Sequence, residues 1–68
     1  MFKVNVDRVR SLMFERGLSL KDFAAQSGLN ALTVAKIVRD DSATASAQTI
    51  ATVAKFFGVN GNELVAKS

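Results

Sequence analysis

Apolar residues recur along this 68-residue chain at the three- and four-residue spacing that lines one face of a helix. Val6, Val9, Leu12 and Met13 mark the first stripe, in a helix predicted from near Asn5 to Gly17. A short second helix is predicted over about Leu20–Gln26, burying Phe23 and Ala24. A third follows over about Ala31–Val38, burying Val34, Ile37 and Val38. Ile50, Val53, Ala54 and Phe57 fall at i, i+3, i+4 and i+7 in a fourth, which starts after Ser46 and stops at Gly58. A fifth begins at Asn60. The polar stretch Asp40–Thr44 reads as a loop. Phe2, Val4 and Val6 alternate with Lys3 and Asn5, a pattern that suits a short strand, an extended arm or an early helix start equally. The fold class expected is all-α: five short helices in one domain spanning residues 1–68.

The helix starts carry more information than the stripes. Ser19 and Asp22 form an S-x-x-D capping box, and Leu18 with Phe23 occupies the positions of a hydrophobic staple. Gly28 supplies a residue free to take positive φ in the turn. Asn30 then caps the third helix, with Leu29 and Val34 as a second staple. Asn60 and Glu63, with Val59 and Leu64, repeat the pattern at the fifth. Two short helices joined by such a turn make a helix-turn-helix, whose second helix can lie in the major groove of DNA.

On a wheel at 100° per residue, Leu32, Lys36 and Arg39 lie opposite the buried stripe of the third helix. Thr33 and Ala35 flank them, and Ala31 stands at the tip. The candidate base readers are therefore Ala31, Leu32, Thr33 and Lys36. Lys36 can donate to guanine O6 or N7, Leu32 and Ala31 can pack on thymine methyls, and the Thr33 hydroxyl can serve any base. Phosphate is expected at the start of the second helix, where free amides and the helix dipole favour an anion. Ser19, Leu20, Lys21, Asn30 and Arg39 are the candidates. The bland reading of the same residues is a solvated helix face with two ordinary caps.

Composition narrows the chemistry. With no cysteine and no histidine, disulfides, thiolate metal sites and the commonest acid–base side chain are all absent. The six carboxylates do not cluster as metal ligands, and Asp40–Asp41 is the only close pair. No catalytic residue, metal or cofactor is expected. A net charge of +3 is compatible with a polyanionic partner without demanding one. No apolar run approaches the roughly 20 residues that span a bilayer, and the first residues do not form a signal-peptide pattern, so a cytoplasmic protein is expected.

Gly17-Leu18-Ser19, Asp22-Phe23-Ala24, Gly28, the Val34–Ile37 pair and the block Ile50…Val53-Ala54-Lys55-Phe56-Phe57-Gly58-Val59…Glu63-Leu64 together resemble the phage lambda repressor and Cro-like (XRE) helix-turn-helix family, over roughly Val6 to Val65. The resemblance implies a five-helix domain that binds operator DNA, often as a homodimer. Three places depart from the family pattern. Leu20 stands where many members have a glutamine that touches the DNA backbone or buttresses a base reader. Met13 and Val38 replace an arginine and a glutamate that pair in many members. Losing both is physically reasonable, since an apolar pair is neutral or stabilising where a lone buried charge is not. The loop after the third helix, usually glycine-containing and basic, here reads Arg39-Asp40-Asp41, so its carboxylates are expected to turn away from DNA.

The function expected is a sequence-specific double-stranded DNA-binding transcriptional regulator, Cro- or repressor-like. A chain of this length leaves regulation to concentration, dimerisation or a regulatory protein partner. The alternative is an antitoxin- or antirepressor-type protein-interaction module on the same fold, which the acidic loop and exposed apolar residues would suit. A homodimer is expected through Phe56, Val59 and Val65. Phe57 continues the buried stripe, while Phe56 is turned 100° away and left partly exposed. The bland alternative folds Phe56 back over the first helix or the N-terminal arm.

Overall fold

The computed structural model describes residues 1–66. The chain runs β1 (Phe2–Lys3), α1 (Val6–Arg16), α2 (Leu20–Ser27), α3 (Ala31–Arg39), β2 (Thr44–Ala45), α4 (Ala47–Phe57) and a 3-10 turn (Gly61–Leu64). Each α-helix starts at a side-chain cap. Asn5, Ser19, Asn30 and Ser46 accept from the amides of Arg8, Asp22, Leu32 and Thr49, relieving donors that have no partner inside a helix. The buried residues of α1, α3 and α4 are the stripes that the spacing predicts. Together with Phe23, Leu64 and the N-terminal valines they form the core. Met13 and Val38 both lie in it, on two helices that pack together.

Four features correct the expectation. The all-α, five-helix description gives way to four α-helices, a single 3-10 turn and a two-stranded sheet among the described residues. Four residues from Gly61 to Leu64 leave no length for a fifth α-helix. Their start is nonetheless a complete capping box: Asn60 Oδ1 accepts from the Asn62 amide and the Glu63 carboxylate accepts from the Asn60 amide. Of the readings left open for the N-terminus, the short strand is the one that forms. Phe2 and Lys3 pair antiparallel with Ala45 and Thr44, and Val4 bridges to Val65. Thr44, read as loop, therefore belongs to β2, and Ala43 and Ala45 are buried. Ala24 is half-buried, because α2 turns only Phe23 fully inward. At Ser19 the serine half of the capping box forms, at 3.1 Å from the Asp22 amide; the return bond from the Asp22 carboxylate is not among the hydrogen bonds of the described residues.

Candidate nucleic-acid interface

The turn between α2 and α3 is built from local chemistry. Gly28 adopts φ 77°, where an L side chain is strained, and its N–H donates to Ala24 O at 3.2 Å. Ser27 Oγ accepts from the Leu29 amide at 3.2 Å. Asn30 Oδ1 accepts from the Leu32 amide at 2.8 Å and opens α3. Val34, Ile37 and Val38 face the core, which turns Ala31, Leu32, Lys36 and Arg39 to solvent, with Thr33 and Ala35 half-buried at the sides. Leu32 is 77% exposed. One side of this face is a shallow groove lined by Leu32, Thr33, Ala35, Lys36 and Asp40. On the other side Thr33 and Lys36 share a concavity with Thr44, Ser46 and Thr49. That second neighbourhood was not legible, because it depends on the β1–β2 pairing that seats the start of α4 beside α3.

The phosphate candidates divide by what they can offer. Ser19, Lys21, Asn30 and Arg39 are exposed. Leu20 is half-buried against the core, so only its backbone amide, in the first turn of α2, is available to an anion. Asn30 Oδ1 is engaged by its cap, leaving the amide NH2 as a donor.

The acidic loop after α3 is tied down from within. Asp40 Oδ1 accepts from the Ser42 amide at 2.9 Å, closing an Asx turn. Asp41 pairs with Arg10 at 3.7 Å. Arg10, on α1, also donates through Nε to Val38 O and through a terminal nitrogen to Arg39 O at 3.3 Å. The sequence reading missed this residue. Its only signal was an arginine beside the Val6–Val9–Met13 stripe, on a helix that must pack near the end of α3.

Of the residues assigned to a dimer, Val59 and Val65 are half-buried against the core. Phe56 is engaged within its own chain. Its ring stacks on Phe23 with centroids 5.4 Å apart and planes 12° apart, and meets Phe57 edge-on at 5.0 Å. The Arg16 guanidinium lies 5.4 Å from the Phe56 ring and 5.1 Å from Phe57, and donates to Phe56 O at 2.9 Å. Phe56 thus folds back on its own chain, but onto Phe23 of α2 and Arg16 at the end of α1, not over the N-terminal arm.

No group of three or more metal-ligating side chains gathers among the described residues, and no helix there is long and apolar enough to cross a membrane. Two capped helices joined at a positive-φ glycine, with the second presenting an uncovered outer face, define a helix-turn-helix DNA-binding module. The family model for the Cro/C1-type HTH DNA-binding domain matches residues 8–66, and the chain belongs to that family. No curated protein matches the chain.

Proposed function

We propose that this Cro/C1-type DNA-binding domain is a sequence-specific transcriptional regulator, repressor-like, that inserts α3 into the major groove of an operator. The observation that carries the reading is the outer face of α3: Leu32 and Lys36, one turn apart, stand free beside Ala31 and Thr33. Lys36 and the tip residues read bases, while Ser19, the Leu20 amide, Lys21, Asn30 and Arg39 meet phosphates. Asp40 and Asp41 are exposed but each has a partner in its own chain, the Ser42 amide and Arg10, which draws their carboxylates toward the loop and α1. The domain acts as a homodimer through the C-terminal part, since one short helix spans few base pairs and two reach half-sites about 34 Å apart. Val59 and Val65 carry that interface, with the partly exposed Phe2 beside Val65. Phe56 contributes only what its packing on Phe23 leaves uncovered.

Titration of Lys36→Ala and Lys21→Ala against a selected site and mixed-sequence DNA tests the reading. Lys36→Ala weakens the selected site by about 1–3 kcal/mol and relaxes one base position. Lys21→Ala weakens all sequences alike and lowers the salt slope by about one unit. A wild type that fails to bind DNA at low salt rejects the proposal. A second reading, an antitoxin- or antirepressor-like module that binds another protein, is favoured by one observation: Phe14 on α1 is 88% exposed. Phe14→Ser then abolishes partner binding and leaves DNA affinity unchanged.

A further inference from the structure

The outer face of α3 has an unusual chemistry for a base reader. From Ala31 to Arg39 it contains no asparagine, glutamine, aspartate or glutamate, the side chains that read adenine or cytosine edges by hydrogen bonds. Its arginine is the last residue, far from the N-terminal turns that reach the bases. Asn30, just before the helix, has its acceptor committed to the Leu32 amide, so the bidentate contact to adenine would cost the cap. What the face does present is hydrocarbon. Leu32 is 77% exposed, with the methyls of Ala31, Thr33 and Ala35 around it and Lys36 one turn on. In the groove beside it, Leu32, Thr33 and Ala35 are the apolar lining residues, and Lys36 and Asp40 are the charged ones.

We infer that Leu32 is a specificity-determining residue that reads the C5 methyl of a pyrimidine in the major groove. The inference rests on the proposed insertion of α3. A leucine held in water in the free protein regains its apolar burial only where the duplex offers hydrocarbon, and the major-groove edge offers just one such group. Lys36 supplies the complementary attraction to the guanine edge or backbone of the same groove. The methyl is carried by thymine or by 5-methylcytosine, and these are separable.

The probe is a duplex recovered by selection from random DNA. Each thymine is replaced in turn by deoxyuridine, which removes the methyl and keeps every hydrogen-bonding group. At one thymine per recognition helix the wild type weakens about three- to fivefold, as loss of one buried methyl requires. Leu32→Ala, which alters only an exposed position and keeps its melting temperature, binds the thymine and uracil duplexes equally. A cytosine placed at that position and then methylated at C5 identifies the source. A matching gain shows that either methylated base serves, and a uracil penalty without that gain assigns the source to thymine. Uracil tolerated at every position, or the same uracil penalty in Leu32→Ala, overturns the inference. Binding of mixed-sequence DNA at low salt is followed in parallel: if it persists, only the methyl reading has failed, and if it is absent, the DNA-binding proposal has failed with it.

Discussion

At its N-terminal end α3 is held by Gly28 and Asn30, residues within three positions of its first turn, whereas its C-terminal end is held by Arg10, 28 and 29 residues away from the carbonyls it binds. The difference follows from how the helix stops. Helices α1, α2 and α4 each end at a left-handed glycine whose N–H returns to the last turn. The residue after α3 is Asp40, in an extended conformation, and its N–H satisfies only Lys36 O. The carbonyls of Val38 and Arg39 are left without a partner from the helix, and the Arg10 guanidinium supplies one. One end of the recognition helix is thus a local device. The other couples it to α1 and, through Asp41, to the acidic loop. The absent loop glycine and the unexpected acidic pair are two sides of one arrangement.

That coupling predicts where the fold is most easily broken. Met13 is 7% exposed and sits in the core on the same helix as Arg10. Met13→Ala costs about 2–5 kcal/mol by the transfer and cavity terms together. Met13→Arg costs at least as much, because Val38 offers no counter-charge. Urea denaturation measures both. A loss under 1 kcal/mol for Met13→Ala would show that the packing of α1 and α3 does not depend on this side chain.

Arg10→Met keeps the aliphatic stem and removes the guanidinium. The part-buried Val38 carbonyl and the exposed Arg39 carbonyl lose a charged donor, an expected cost of about 1–2 kcal/mol after allowing for the exposure of the side chain. The ion pairs with Asp7 and Asp41 are exposed and add little. Hydrogen exchange locates the effect: amides from Asp40 to Ala43 lose protection while those of α2 do not. Uniform loss across both ends of α3 would mean that Arg10 supports the whole fold and not this terminus.

The contrast between local and remote devices also separates what was legible in the chain from what was not. Caps at Ser19, Asn30, Ser46 and Asn60 were readable because a cap and its target lie two or three residues apart, while Asn5 was legible only as the neighbourhood of a start. The buried stripes were readable for the same reason. The pairing of Phe2–Lys3 with Thr44–Ala45 was not, since three alternations carry no address for a partner some forty residues on. Without it the small Ala43 looked like a loop residue, and nothing marked Ala45 as buried. The fifth helix was over-read because a complete capping box specifies a helical start and says nothing of length. At the site, the outward set on α3 was legible from periodicity, while the role of Arg10 and the nearness of Thr44, Ser46 and Thr49 to Lys36 required the tertiary fold.

The smallest expected effect tests the local end. Asn30 Oδ1 accepts from the Leu32 amide at 2.8 Å in an exposed setting, so Asn30→Ala removes one cap and about 1 kcal/mol. Asn30→Gly loses only a few tenths, because glycine accepts the extended conformation of the cap and lets water reach the freed amide. Both leave Arg10 and the far end of α3 untouched, so exchange protection falls at the first turn alone. DNA affinity adds a second reading of the same pair. If Asn30 only caps, the two variants lose affinity in proportion to the fraying of the first turn, alanine more than glycine. If its amide NH2 also meets a phosphate, both lose an equal further increment on every sequence. An equal excess loss of affinity in both variants, beyond what their unequal stability losses account for, would assign the phosphate contact to Asn30 itself.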